Sequence, residues 1–213
     1  MTLISDAIGA RFEKHFMKTF QGFQDYRLYK TVPDFYNPEF NFWVETKAGN
    51  SRWGVRPKEE QIECFQKLKE PVVYCIGLHS FDHAEARLSG KTPLGMERIL
   101  RNQMEFIELY WVTQKVVAKI WERENRLSEN GKQRYCMAKK HILQDILLDR
   151  SCKRRNVSVS SARDFYGLNS EDFFFSSLEE GQDPRKTRGI VLAHGDSGVL
   201  GYLRDQGVLP ETQ

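Results

Sequence analysis

The chain has 213 residues, 40% hydrophobic and 12% aromatic, which suffices for one large domain or a domain with a smaller one appended. A formal charge of +3 and a pI near 8.6 exclude a uniformly basic or acidic protein, so any footprint for nucleic acid must be local. No apolar run is long enough to span a bilayer, and Asp6, Arg11, Glu13 and Lys14 stand where a signal peptide needs an apolar stretch; a cytoplasmic protein is expected. Cys64, Cys75, Cys136 and Cys152 lack CxxC spacing, which argues against a zinc knuckle or a redox pair.

In chain order, Ser5 and Asp6 start an amphipathic helix with Ile8, Phe12, Phe16 and Phe20 at i+4 spacing, ending near Gly22. The alternation in YRLYKTV (residues 26–32) predicts a strand, followed by a short second strand around Asp34 to Tyr36. Asn37 and Pro38 turn the chain into a third strand, FNFWVETK, and residues 50–56 read as a loop with Gly49 and Gly54 at its bends. Pro57 suits the first position of a helix carrying Ile62, Phe65 and Leu68, which Pro71 stops. The apolar run VVYCIGL then reads as a strand buried on both faces. From Leu94 to Arg126, the stripe Ile99, Phe106, Leu109, Val112, Val116 and Ile120 predicts a long helix, with apolar surface for a homodimer or for intramolecular packing. Another helix is expected from Gly131 to Asp149 and a short one from Ser160 to Tyr166; EEGQDPRKTRG reads as a solvated loop.

The chemistry centres on the third strand. Side chains alternate along a strand, so Glu45 and Lys47 share a face. Antiparallel pairing across the Asn37-Pro38 turn brings Asp34 toward Glu45. Two nearby carboxylates are what Mg²⁺ or Mn²⁺ asks for, and a neighbouring lysine can polarise a water and offset charge on a phosphate.

Pro33-Asp34 followed by Glu45-Thr46-Lys47 resembles the signature of the PD-(D/E)XK nucleases. The order helix, three strands, helix, strand is also the order of that core. The resemblance covers about residues 5–80 and implies an α/β, restriction-endonuclease-like fold of order α-β-β-β-α-β, followed by a mainly helical C-terminal region. The expected organisation is a nuclease core over 1–80, a helical extension over 81–150, and a tail or small module over 151–213.

The resemblance further implies Mg²⁺, with Mn²⁺ as substitute, held by Asp34, Glu45 and the Thr46 carbonyl. Glu13 on the first helix matches the glutamate that completes the metal site in Holliday-junction resolvases and related phage and repair nucleases. Lys47 would act on the water, and Gln61 matches a glutamine that several members carry on the helix after the lysine strand. The implied activity is DNA hydrolysis leaving a 5′-phosphate and a 3′-hydroxyl, structure-selective as in a junction resolvase. A sequence-specific restriction endonuclease is the alternative, and a non-catalytic nucleic-acid-binding or assembly protein keeping the same fold is the alternative of another class. Branched or duplex DNA is the expected partner, with RNA left open.

Arg52, Trp53 and Arg56 follow the catalytic strand, where they can contact a phosphate or base, or close the loop over the core. Lys132, Arg134, Lys139, Lys140, Arg150, Lys153, Arg154 and Arg155 form a basic cluster against Asp145 and Asp149. It reads either as a phosphate-tracking surface or as a solvated helix face. His79 and His83 have i, i+4 spacing, but their place at a strand end favours a loop or capping role.

Overall fold

The computed structural model describes residues 3–20, 22–29, 31–38, 41–50, 54–79, 106–127, 134–135, 139–154, 156–169, 172 and 192–193. Over these, elements are numbered in chain order. The first 79 residues run α1 (Leu3–Thr19), β1 (Gln24–Asp25), β2 (Phe35–Asn37), β3 (Phe42–Asn50), α2 (Glu59–Phe65) and β4 (Val72–His79). Then come β5 (Phe106–Thr113), α3 (Gln114–Glu124), β6 (Arg126–Leu127), β7 (Arg134–Tyr135), α4 (Lys140–Leu147), β8 (Cys152–Arg154), β9 (Val157–Val159), α5 (Ala162–Tyr166) and β10 (Leu192–Ala193).

The protein is mixed α/β. Its main sheet has the order β1-β2-β3-β4-β5-β10, with β3 and β4 parallel and every other pair antiparallel. Helices cover both faces. On one face Phe12 and Phe16 of α1 and Phe20 just after it are buried; Phe16 stacks on Phe35 of β2 (4.7 Å between centroids) and Phe20 meets Trp111 of β5 edge-on (5.3 Å). The other face packs Tyr74, Ile76 and Leu78 of β4 and Tyr110 and Val112 of β5 against Ile62 and Phe65 of α2 and Val116, Val117 and Ile120 of α3. Every residue of β4 is buried, as a strand covered on both faces requires.

Three expected elements differ. Among the described residues of the strand expected over 26–32 none is in a strand: Gln24 and Asp25 pair with β2, and Tyr26 to Tyr29 form a turn closed by Tyr29 N–H donating to Tyr26 O (2.8 Å). The alternation there belongs to solvent, with Leu28 94% exposed. Within the expected helix 94–126, Phe106–Thr113 is a strand, and the helix begins only at Gln114; residues 94–105 lie outside the described residues. FIELYWVT is rich in aromatic and β-branched residues, and its consecutive residues Tyr110 to Thr113 are all buried, so it lacks the alternation that marks a half-exposed strand and its spacing passes for a helical stripe. The sheet begun in the first eighty residues therefore takes a further strand from beyond them. Among the described residues of the helix expected after Gly131 to about Asp149, Lys140–Leu147 are helical, while Arg134 and Tyr135 pair with β6.

The third strand runs longer than expected, to Asn50, so Gly49 is a strand residue rather than a bend. A side chain there would overlap the Gly54 carbonyl, since Gly54, at φ 76°, folds back to donate its N–H to Asn50 O (2.7 Å). The helix α2 starts at Glu59 rather than at Pro57, and the short helix α5 matches its expected place, with Ser161 Oγ accepting from Asp164 N–H (3.1 Å).

Gly77 of β4 lies under the Phe12 ring, which occupies the space a Cβ would need. Gly77→Ala is predicted to overpack this contact and cost about 1–3 kcal/mol. Adding Phe12→Leu to that variant should recover part of the loss in urea denaturation; fully additive losses would show that the two residues do not share that space.

Candidate active site

The register of the sheet assembles the site. Phe35 pairs with Val44 and Tyr36 with Trp43, so continuing the ladder by one residue sets Asp34 opposite Glu45. β2 stops short of that position, and the Asp34 side chain takes over as acceptor: its Oδ2 receives Thr46 N–H (2.8 Å) and Thr46 Oγ1–H (2.6 Å). This satisfies a backbone donor that the short β2 would leave open. The carbonyl of a strand residue leaves on the same side as its N–H, which puts Thr46 O on the Asp34 side of β3.

Glu45 is buried, with only 2% of its side chain exposed, whereas Lys47 keeps 19%. The Lys47 ammonium donates to Glu45 Oε1, and Gln61 Nε2 from α2 donates to the same oxygen (2.7 Å). Gln61 Oε1 is left buried without a hydrogen-bond partner. Burial pushes the Glu45 carboxyl up to about 7, against the opposing pull of Lys47 and with a further upward push from the negative charge of Asp34; the Asp34 backbone N–H partly offsets this.

Asp34, Glu45, Thr46, Lys47 and Gln61 thus come together. Glu13 does not join them. Its carboxylate holds Arg27 at 3.1 Å, and Arg27 is also bound by Asp25 through Nε (2.8 Å) and Nη2 (2.5 Å). Glu13 is thus engaged with the turn after β1. Among the described residues, no three His, Cys, Asp or Glu side chains are arranged to hold a metal.

The Asp34–Glu45 pair with the Thr46 carbonyl still fits a hard divalent cation that keeps most of its waters. A carboxylate lifted by burial, and further by its neighbour's charge, is relieved by a cation, and the unpartnered Gln61 Oε1 is an acceptor for a water there. A cleft of about 370 Å³ between the end of α2 and α3, lined by Phe65, Leu68, Pro71, Gln114 and Lys119, shares no residue with this group.

Arg52, Trp53 and Arg155 lie outside the described residues; Arg56 is exposed just before α2. In the basic cluster, Lys153 is exposed, and Lys139 and Lys140 at the start of α4 are half-buried. Arg154 is held inside the C-terminal segment, its guanidinium on Asp145 (2.6 Å) and Tyr166 Oη (3.3 Å) with 11% of its side chain exposed. Tyr166 in turn donates to Glu124 (2.8 Å), tying α3, α4, β8 and α5 together. His79 is buried at the end of β4, and His83 lies outside the described residues.

One neighbour of the site escaped the sequence reading. Tyr26 N–H donates to Asp34 O (2.8 Å), which sets Tyr26 beside the Asp34–Glu45 row. Asp25 and Arg27, two residues apart and of opposite charge, were the signal for the turn that places it.

Comparison of the chain with protein-family models, curated proteins and solved structures finds no match. No helix among the described residues is long and apolar enough to cross a membrane.

The upward shift of Glu45 has a signed consequence for metal-free protein. With the folded-state value near 7 and an ordinary value of 4.5, the folded state binds the extra proton between these, so stability falls as pH rises through that window. In EDTA, Glu45→Gln is predicted to gain on wild type between pH 5 and pH 8, by roughly 5 °C or more in Tm. Parallel melting curves across that range would show that Glu45 ionises as freely as an exposed carboxylate.

Proposed function

We propose that the chain is a metal-dependent nuclease of the PD-(D/E)XK kind, hydrolysing phosphodiester bonds in DNA. The observation that carries this reading is the convergence of Asp34, Glu45, Lys47 and Gln61 on one point of the sheet, supported by the order α1-β1-β2-β3-α2-β4 with β3 and β4 parallel. A structural role explains it poorly. Placing a carboxylate at Glu45 in full burial beside a second carboxylate costs stability, and a stabilising design would put an apolar residue there.

Asp34, Glu45 and the Thr46 carbonyl would hold one or two Mg²⁺ ions, which supply Lewis-acid polarisation of the phosphate and lower the pKa of a bound water. Asp34 is already fixed by two hydrogen bonds to Thr46, so its geometry is set before substrate arrives. Gln61 braces Glu45 with its Nε2 and offers Oε1 to orient the attacking water. Lys47, at the more open side of the group, neutralises charge that builds on the non-bridging phosphate oxygens. The water oxygen bonds to phosphorus as the P–O3′ bond breaks. The products are a 5′-phosphate and a 3′-hydroxyl, the latter taking its proton by way of solvent.

Labelled linear duplex, single-stranded and four-way-junction DNA should be cut with Mg²⁺ or Mn²⁺ and not in EDTA. Asp34→Asn and Glu45→Gln should abolish cutting while circular dichroism stays native. Lys47→Ala should slow it roughly 100-fold or more. Full Mg²⁺-dependent cutting by Asp34→Asn would overturn the assignment. Unimpaired binding with no product from any substrate would favour a non-catalytic DNA-binding protein.

A further inference from the structure

Beside the carboxylates, the same face of the sheet carries a run of aromatic rings with no part in the chemistry above. Residues that pair across a sheet share a face, so Tyr36 and Trp43 form one row and Tyr26, Asp34 and Glu45 the next. Tyr36 lies 4.5 Å from Trp43 between ring centroids, and Tyr26 stands edge-on to Trp43 at 5.0 Å. Tyr29 adds a fourth ring, 5.8 Å from Tyr26 across the turn they close. The run opens toward solvent: Trp43, Tyr36 and Tyr26 are half-buried, Tyr29 is 61% exposed and the adjoining Leu28 is 94% exposed.

The turn that presents Tyr29 is held in place. Arg27 donates from its backbone and side chain to Asp25 and reaches across to Glu13 of α1. The Arg27 guanidinium also lies over the ring of the buried Phe35 (5.5 Å), so the brace anchors the turn to the sheet while Leu28 and Tyr29 stay exposed. A surface fixed in this way is ready before a ligand arrives.

We propose that Tyr26, Tyr29, Tyr36 and Trp43 form a stacking platform for unpaired nucleobases of the strand whose phosphate occupies the Asp34–Glu45 site. This rests on the nuclease reading and narrows its substrate to DNA with unpaired nucleotides beside the cut. Three features select this occupant. Adjacent strands lie about 4.8 Å apart, so Tyr26 is one strand from Asp34 and two from Glu45, within reach of a base on the same or the next nucleotide. Rings, rather than aliphatic side chains, are what successive bases stack on without regard to sequence. Bases paired inside a duplex keep their faces covered by their neighbours, so only unpaired ones can use the platform.

The test uses the full chain and a duplex with a single-stranded overhang bearing 2-aminopurine, in Ca²⁺ to prevent cutting. Wild type should bind the overhang and quench its fluorescence. Tyr29→Ala should weaken binding about tenfold and lose most of the quench, and Tyr29→Trp should restore both. Equal affinity and quench in wild type and Tyr29→Ala would overturn the platform. So would a change from dimer to monomer in Tyr29→Ala on sedimentation, which would assign these rings to a second copy of the chain. With Mg²⁺, the preference for overhang over blunt duplex should fall in Tyr29→Ala. Tyr29-dependent quenching without cleavage of any DNA would leave the platform standing and remove the nuclease reading; cleavage with no Tyr29 dependence would do the reverse.

Discussion

The hydrogen bonds from Thr46 to Asp34 fix the arrangement on which the candidate site depends. β2 is only three residues long, and its ladder ends one residue before it would meet Glu45. By accepting both the N–H and the hydroxyl of Thr46, the Asp34 carboxylate extends that pairing and anchors itself beside the buried carboxylate. Side-chain alternation then does the rest. With Thr46 turned toward α1, Glu45 and Lys47 face α2, where Gln61 meets them. A one-residue slip of β3 would invert that set and place Val44 and Thr46 under α2, so the apolar packing of Phe35, Phe42 and Val44 against the α1 side also fixes the register of the polar group.

The site is built at the expense of local stability. Glu45 is stripped of water, opposed by the Asp34 charge and only partly compensated by Lys47 and the Asp34 backbone N–H, so its carboxyl is raised to about 7. The surrounding core supplies the rigidity that tolerates this. β4 is buried along its whole length, and α1 and α3 seal the two faces of the sheet. The C-terminal segment is organised separately around Arg154, which bridges Asp145 and Tyr166 and so belongs to the interior of that segment, leaving Lys153 and Arg150 on its surface.

Much of the first eighty residues was legible because each element there carries one clear signal. Phe12, Phe16 and Phe20 at i+4 spacing mark a helix, and an unbroken apolar run marks β4. The pairing of Asp34 with Glu45 followed from a turn at Asn37-Pro38 and from strand alternation, both local properties. Other features depend on contacts distant in sequence. Phe106–Thr113 becomes a strand because β4 and β10 offer edges on either side, which no spacing within the segment reveals. The partner of Glu13, Arg27, is set by the turn after β1, whose residue alternation mimics a strand. The same mimicry hides Tyr26, whose place beside Asp34 comes from one hydrogen bond just beyond β1.

The proposed function requires Asp34 and Glu45 to form a divalent-cation site. Titrating Mn²⁺ into the protein while following the electron paramagnetic resonance of the free ion tests it without reference to any substrate. Saturable uptake of one or two ions per chain, lost in both Asp34→Asn and Glu45→Gln and competed by Mg²⁺, is the predicted result. No saturable uptake by wild type, or uptake unchanged in both variants, would contradict it.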